Sequence, residues 1–344
     1  MTAAVLTKFG GPEVLELHHD WPRPWPAAHE VLVKVTAAAV NNTDLWTRQG
    51  AYGLPDDPSA LAGWLGSFDF PRIQGGDICG IVTEVGANTS DQLVNRRVLI
   101  DPALYPSDDE NDSPTGYLGS EADGGFAQYV AVDAAHAHDV HDSPLSDQEL
   151  ACLPVAFGTA TAMLDRAHVE RGETVLVTGA SGGVGLALVQ LASARGARVL
   201  AITSGSKSDA VLANGAAQAF NRDLPTIAEK ISAAAPDGLH VIADIAGGPG
   251  IAALMPLLQD NGRWVIAVAG PVIEFDLRRL YLHNIQLIGS SMHTRAHFRS
   301  LIDLARSGNI RPQISATFPL TSIADAQAEF FARRHIGKIV LLPE

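Results

Sequence analysis

The stretch of this sequence with the most chemical content is TVLVTGASGGVGLALVQLASARGARVLAIT, residues 174–203. An apolar run enters Gly179-Ala180-Ser181-Gly182-Gly183-Val184-Gly185 and passes straight into an apolar-periodic helix. Gly182 lets the backbone approach a pyrophosphate closely, and Gly185 lets the helix pack against the preceding strand. The free N–H groups at the helix start then face the phosphate. Ala180 stands where the usual G-x-G-x-x-G fingerprint has its first glycine, so this is a variant of that pattern. Such a run is weak evidence alone and strong evidence between two strands of a βαβ unit. Ala180, Ser181, Gly182, Gly183, Val184 and Gly185 are therefore candidate phosphate contacts.

The end of the next strand bears on which dinucleotide fits. An NAD site wants Asp or Glu there to hold the ribose 2′-hydroxyl. This strand ends Ala201-Ile202-Thr203-Ser204-Gly205-Ser206-Lys207, with no acid before Asp209. Thr203, Ser204 and Lys207 suit a 2′-phosphate, so NADPH is the expected cofactor; the competing reading of Lys207 is a solvated residue at a helix start. Arg222, in AFNRD after the following strand, is a second candidate cation or an adenine-stacking group. Ala269 and Gly270, which follow Trp264–Val268, are also expected at the cofactor.

Two kinds of sequence position these residues. Residues 1–130 read as short strands between turns, such as Val31–Val35, Gly80–Val85 and Phe126–Val132, which predicts an antiparallel, barrel-like domain. Within it, Tyr105–Gly125 is polar and acidic and reads as a surface lobe. From Ser146 the rhythm changes. Residues 146–167 have helical spacing behind a Ser-Asp cap signal. Strands at Thr174–Thr178, Arg198–Thr203, Val241–Ile245, Trp264–Val268 and Ile285–Gly289 then alternate with helices to Arg195, at Lys207–Ala213 and at Gly250–Leu258. That alternation implies a parallel sheet covered on both faces. Helices at 296–306 and 324–334 and strands at 313–318 and 338–342 complete the chain.

At 344 residues the length suits about two domains. With 24 Lys and Arg against 38 Asp and Glu, the formal charge is −14, which opposes binding to nucleic acid or anionic lipid. Two cysteines, Cys79 and Cys152, make no disulfide framework and suit a reducing compartment. There is no signal-peptide pattern and no apolar run of about 18 residues. A cytoplasmic protein with no membrane partner is expected.

GGPEVLEL, AAVNNTDLWTRQGAY, PRIQGGDICGIVTEVG, DGGFAQYV, LPVAFGTATAML, VTGASGGVG and the terminal GKIVLLP occur in one order along nearly the whole chain. Together they resemble the medium-chain dehydrogenase/reductase superfamily, in its zinc-independent quinone oxidoreductase-like branch. The resemblance implies an α/β fold, with a Rossmann-type parallel-sheet cofactor domain over 134–292. It also implies a GroES-like, mainly antiparallel β-barrel catalytic domain over 1–133 and 293–344.

Zinc-dependent members place a first ligand in Cys-x-[Ser/Thr]-Asp, which here reads Asn41-Asn42-Thr43-Asp44. The second is the His of Gly-His-Glu, which here reads Gly75-Gly76-Asp77, and the third falls near Pro154–Val155. Zinc takes thiolate, imidazole or carboxylate donors, and these positions lack them. The lobe matching the family's structural-zinc segment has no cysteine. Cys152 lies near the third position but out of register, and His136, His138 and His141 read as surface residues. No metal is expected.

Without a Lewis acid, reduction of an unactivated ketone is difficult, whereas a quinone or an enone delocalises the developing charge so that hydrogen bonds can hold it. An NADPH-dependent quinone or activated-alkene reductase is thus the leading expectation. An aldehyde or ketone reductase and a non-catalytic NADPH-binding protein are the alternatives. Asn41 is expected to orient nicotinamide or substrate, and Thr43 stands where zinc enzymes have a proton-relay hydroxyl. Trp46 and Tyr52 are expected to wall the substrate, and Thr159 matches a nicotinamide contact. Ala51–Phe70 is longer than usual for the family and reads either as a cap on the cleft or as a packed surface loop. The partners expected are a small-molecule hydride acceptor and, through the apolar edge Ile285–Gly289, a second copy in a homodimer.

Overall fold

The computed structural model describes residues 1–52, 63–66, 68–248, 250–268 and 274–343. The chain divides into two compact units, Met1–Gly158 with Met292–Glu344, and Thr159–Ser291.

In the second unit, six parallel strands lie in the order Gln218–Asn221, Arg198–Thr203, Thr174–Val177, Leu239–Asp244, Leu258–Ile266, Gln286–Gly289. Numbered along the chain this is 3-2-1-4-5-6, the Rossmann order, which reverses direction beside Thr174–Val177. The strands are apolar runs because both faces are covered; Val175, Leu176, Val177, Leu200, Val241, Ile242 and Trp264 are all buried. The helix Gly183–Ala194 follows the first strand and buries Leu186 through Val189, Leu191 and Ala192.

The first unit is mainly antiparallel. Its larger sheet runs Ala137–Asp139, Arg97–Ile100, Asp77–Val85, Glu30–Ala39, Lys338–Leu342, Ile314–Pro319, with Tyr129–Asp133 also paired to Glu30–Ala39. In this sheet the described strands pair antiparallel except 314–319 and 338–342, which run parallel. A three-stranded sheet of Leu15–His18, Ala3–Leu6 and Arg72–Ile73 and a two-stranded sheet of Ala103–Leu104 and Gly116–Tyr117 accompany it. The core is the inward alternation of these strands, with Val31, Val33, Val35, Ile78, Val82, Val98 and Ile100 buried together.

Several expectations change. The helix expected over 146–167 is two, Asp147–Ala151 and Pro154–Arg166, because Pro154 has no N–H to continue the first and fits the first turn of the second. The helix expected at Gly250–Leu258 is a 3₁₀ segment, Ile251–Leu257, interrupted by Pro256. The strand expected at Trp264–Val268 begins earlier, at Leu258. Residues 134–158 group with the first unit; Ala137–Asp139 pairs with Arg97–Ile100, and the Arg97 guanidinium donates to the carbonyls of Val140, Ser143 and Leu145. The polar lobe is exposed only in part: Gly116 through Ser120 are buried. His136 is buried as well, with a ring nitrogen 3.0 Å from Asp101 O. His138 packs on Phe298, and burial pushes its imidazole down to about 4.

Candidate active site

In the second unit the glycine turn is built by its neighbours. Thr178 Oγ1 donates to Asp244 Oδ1 at 2.6 Å and accepts from the N–H groups of Ile245 and Ala246. The carboxyl ends of the two central strands are thereby tied together. Gly179 has φ +59°, a left-handed conformation suited to glycine, and Ala180 is buried with its N–H on Ile202 O at 3.1 Å. Gly182 is the N-cap of the helix and has no side-chain cap. A Cβ at Gly182 would meet only Gly179 O, at 3.8 Å, whereas one at Gly185 would lie 2.3 Å from that oxygen and 2.7 Å from Ala180 Cα. Gly185 is thus forced by helix-to-strand packing, while the space before Gly182 is open. Uncapped N–H groups in the first turn, at Gly183, Val184 and Gly185, suit an anion, so these residues fit a dinucleotide pyrophosphate.

At the end of the second strand, Thr203 is buried and its hydroxyl has no hydrogen-bond partner among the described residues. Ser204 precedes the 3₁₀ turn Gly205–Lys207. Arg222 N–H donates to Thr203 O at 2.8 Å. Burial, and then the positive charge of Arg222, holds the Lys207 amine below the usual lysine value. Thr159 is buried on the helix Pro154–Arg166. Ala269 and Gly270 lie outside the described residues.

In the first unit Asn41 caps the helix Asn42–Arg48. Its side chain faces inward. Nδ2 donates to Asp77 Oδ2 at 2.9 Å and to Ala39 O at 3.3 Å, and Oδ1 accepts from Lys338 Nζ at 2.5 Å. Lys338 Nζ also reaches Asp77 Oδ2 at 2.8 Å and Val40 O at 2.9 Å. Asp77 Oδ1 accepts the Val155 N–H at 2.8 Å. Two of the three positions matching the zinc pattern, Asn41 and Val155, are thus gathered by one buried Lys–Asp pair. At the other, Gly76, a Cβ would lie 2.0 Å from the Tyr117 hydroxyl. Cys152 Sγ donates to Gln148 O, and burial pushes its thiol up. An amide oxygen held by an ammonium, a glycine and a backbone N–H are not donors for zinc, so the residues at these positions do not fit the metal.

Beside this core, Tyr52 Oη donates to Thr43 Oγ1 at 2.9 Å, and the Tyr52 ring meets Trp46 edge-on at 6.0 Å. Three of the four sequence candidates therefore cluster. Burial pushes the Tyr52 hydroxyl up to about 12. Asp44 Oδ2 accepts the Asn41 N–H at 2.7 Å, while Oδ1 is buried with no hydrogen-bond partner among the described residues. Burial raises the Asp44 carboxyl to about 7.

Sequence reasoning passed over Asp44, Asp77, Tyr117 and Lys338. One signal was present: Lys338 is a charge opening the apolar closing strand KIVLL. A buried pair of His293 Nε2 and Asp101 Oδ1, 2.8 Å apart, was also passed over. The described part of the 51–70 segment is tied down. Glu121 Oε1 accepts the N–H groups of Leu65 and Gly66, and Ser120 Oγ accepts that of Trp64.

A Rossmann-ordered sheet with an anion-binding turn, joined in one chain to a mainly antiparallel unit, defines a nicotinamide-dependent oxidoreductase class. Comparison with known proteins agrees. Residues 27–142 match the alcohol dehydrogenase GroES-like domain and residues 183–307 the zinc-binding dehydrogenase domain. The chain is 31% identical to quinone oxidoreductase of Rattus norvegicus, over 99% of this chain and 98% of that one. It is 30% identical to acryloyl-coenzyme A reductase of Metallosphaera sedula, over 92% and 93%. A solved structure from Sinorhizobium meliloti 1021, described provisionally as an alcohol dehydrogenase, is 43% identical with a TM-score of 0.95, covering 100% of this chain and 97% of that one. The chain belongs to the medium-chain dehydrogenase/reductase superfamily, in its quinone oxidoreductase-like branch.

Proposed function

We propose that this protein is an NADPH-dependent reductase that passes a hydride to a quinone or to an alkene conjugated with a carbonyl, without zinc. The observation that carries the reading is the first-unit cluster, where a Lys–Asp–Asn network and a phenol stand at the positions of the zinc pattern and a Tyr52–Thr43 hydroxyl pair lies beside them. The names of the rat and Metallosphaera relatives support it, since both describe conjugated acceptors.

NADPH would be held by the N–H groups of Gly183, Val184 and Gly185, with Ala180, Ser181 and Gly182 shaping the turn. Thr203, Ser204, Lys207 and Arg222 would surround the 2′-phosphate, and Thr159 would meet the nicotinamide. When bound, it supplies the hydride. As the hydride adds to carbon, charge gathers on the carbonyl oxygen. Thr43 accepts from Tyr52 and so keeps its own hydrogen to donate to that oxygen, a geometry that suits oxyanion stabilisation. Trp46 and Tyr52 wall the acceptor. Asn41 acts through position: Lys338 and Asp77 fix it, and it fixes the start of the helix bearing Thr43.

The edge strand Gln286–Gly289 pairs only with Leu258–Ile266 among the described strands, and Leu277, Tyr281 and Leu282 on the preceding helix are exposed. An open apolar edge supports a homodimer. No helix among the described residues is long and apolar enough to cross a membrane, and the two buried free thiols suit a reducing, cytoplasmic setting.

The deciding experiment follows NADPH consumption against 1,4-quinones, enones, aldehydes and alcohols, with and without a strong chelator. Quinones and enones should turn over in both conditions. Faster alcohol or aldehyde chemistry would favour the reading that the Sinorhizobium structure's description suggests, and activity lost on chelation and restored by zinc would remove the zinc-free assignment.

A further inference from the structure

Gly76 and Tyr117 compete for one volume. A Cβ on Gly76 would lie 2.0 Å from the Tyr117 hydroxyl oxygen and 2.2 Å from its Cζ, so the phenol fills the space of any side chain at 76. That is where the zinc-dependent pattern has its histidine. The ring is packed with Ala103, Met292 and, at 6.2 Å between centroids, Trp64. Its backbone is fixed as well, because Glu121 Oε2 accepts the Tyr117 N–H at 2.9 Å while Oε1 holds Leu65 and Gly66. Tyr117 is 2% exposed, and its hydroxyl has no hydrogen-bond partner among the described residues. A buried hydroxyl without a partner is costly. Its place against Gly76, next to Asp77 in sequence, and its burial put the phenol at the edge of the polar cluster and not on the lobe's outer surface.

We propose that the Tyr117 hydroxyl is a catalytic hydrogen-bond donor to the carbonyl oxygen of the conjugated acceptor, in the place the zinc-dependent pattern gives to the metal. The proposal rests on the reductase reading above. A hydride delivered to the β-carbon would form a C–H bond there, and the alkene π pair would shift to a double bond between the α-carbon and the carbonyl carbon. The carbonyl π pair would move onto oxygen as an enolate, and the Tyr117 O–H hydrogen bond to that oxygen would strengthen. Burial raises the phenol well above its ordinary value, so Tyr117 keeps its proton. The proton that completes the reduction comes from water.

Tyr117→Phe tests this. Against an enone, kcat should fall at least ten-fold while the KM for NADPH stays unchanged, since a donor that acts on developing charge affects the chemical step. The loss should be smaller for quinones, which spread the charge over a ring. The Tm should match or exceed that of the parent, because the hydroxyl has no hydrogen-bond partner among the described residues. An unchanged kcat in the variant, with a parent that reduces enones, overturns the inference and leaves the reductase reading standing. So does a variant that loses several degrees of Tm or fails to fold, since the hydroxyl would then be structural. A parent that reduces neither quinones nor enones removes the reductase reading itself.

Discussion

Lys338→Met removes the centre of the buried network while keeping the apolar stem. The ammonium has three hydrogens and three acceptors, Asn41 Oδ1, Asp77 Oδ2 and Val40 O, at 2.5, 2.8 and 2.9 Å. Its side chain is 4% exposed and that of Asp77 is 0% exposed. Without Lys338, the Asp77 carboxylate keeps, among the described residues, the amide donors of Asn41 and Val155. Breaking a buried pair by removing one partner costs about 3–5 kcal/mol, a large part of the ~5–15 kcal/mol that holds a typical protein folded. A chain of two units need not unfold in one step, so the loss is best read locally, from amide hydrogen exchange in the strands Glu30–Ala39 and Lys338–Leu342. Exchange there should speed up by about 10²-fold or more, at ~1.4 kcal/mol for each ten-fold. Adding Asp77→Asn removes the stranded charge, so the double variant should fall short of the summed single losses by at least about 2 kcal/mol. A single loss below ~1 kcal/mol, or additive losses, would refute the buried ion pair.

Asp44 sets a pH dependence, because burial raises its folded carboxyl to about 7 from an ordinary 3.8. Between those values the unfolded chain has released the proton and the folded chain has kept it, so stability falls as pH rises from about 4 to about 7 and levels off above. The slope approaches about 1.4 kcal/mol per pH unit, and Asp44→Asn should abolish it; parallel pH profiles for variant and parent would count against this account. NADPH should bind at least ten-fold more tightly than NADH, about 1.4 kcal/mol, and Lys207→Ala should weaken NADPH alone. Equal dissociation constants by titration would remove that cofactor choice. Light scattering at micromolar concentration should give twice the chain mass, and a monomer would refute the edge-to-edge pairing.

Much of the fold was legible because its signals are local. The strand, glycine turn and helix of residues 174–194 are contiguous, and Gly185 answers to a backbone contact within that segment, at Gly179 O. Proline misled where its effect was not applied. Pro154 and Pro256 each interrupt an apolar periodicity that otherwise reads as continuous helix. The helix Leu277–His283 escaped notice because its apolar residues Leu277, Tyr281 and Leu282 are exposed and give no core-facing stripe.

The sequence alone determined the residue types at the positions of the zinc pattern, the absence of an acid after Ile202, and the alternation of strands and helices. Tertiary structure decided what those residues do to one another. Asn41 looked free to orient a ligand until a lysine 297 positions away was found on its amide oxygen. Gly76 looked like a simple loss until the phenol of Tyr117 was found in its volume. Backbone propensity and periodicity act over a few residues, so they write themselves into neighbouring letters. The partner of a buried polar group is chosen by packing across the folded sheet, and no spacing along the chain encodes it.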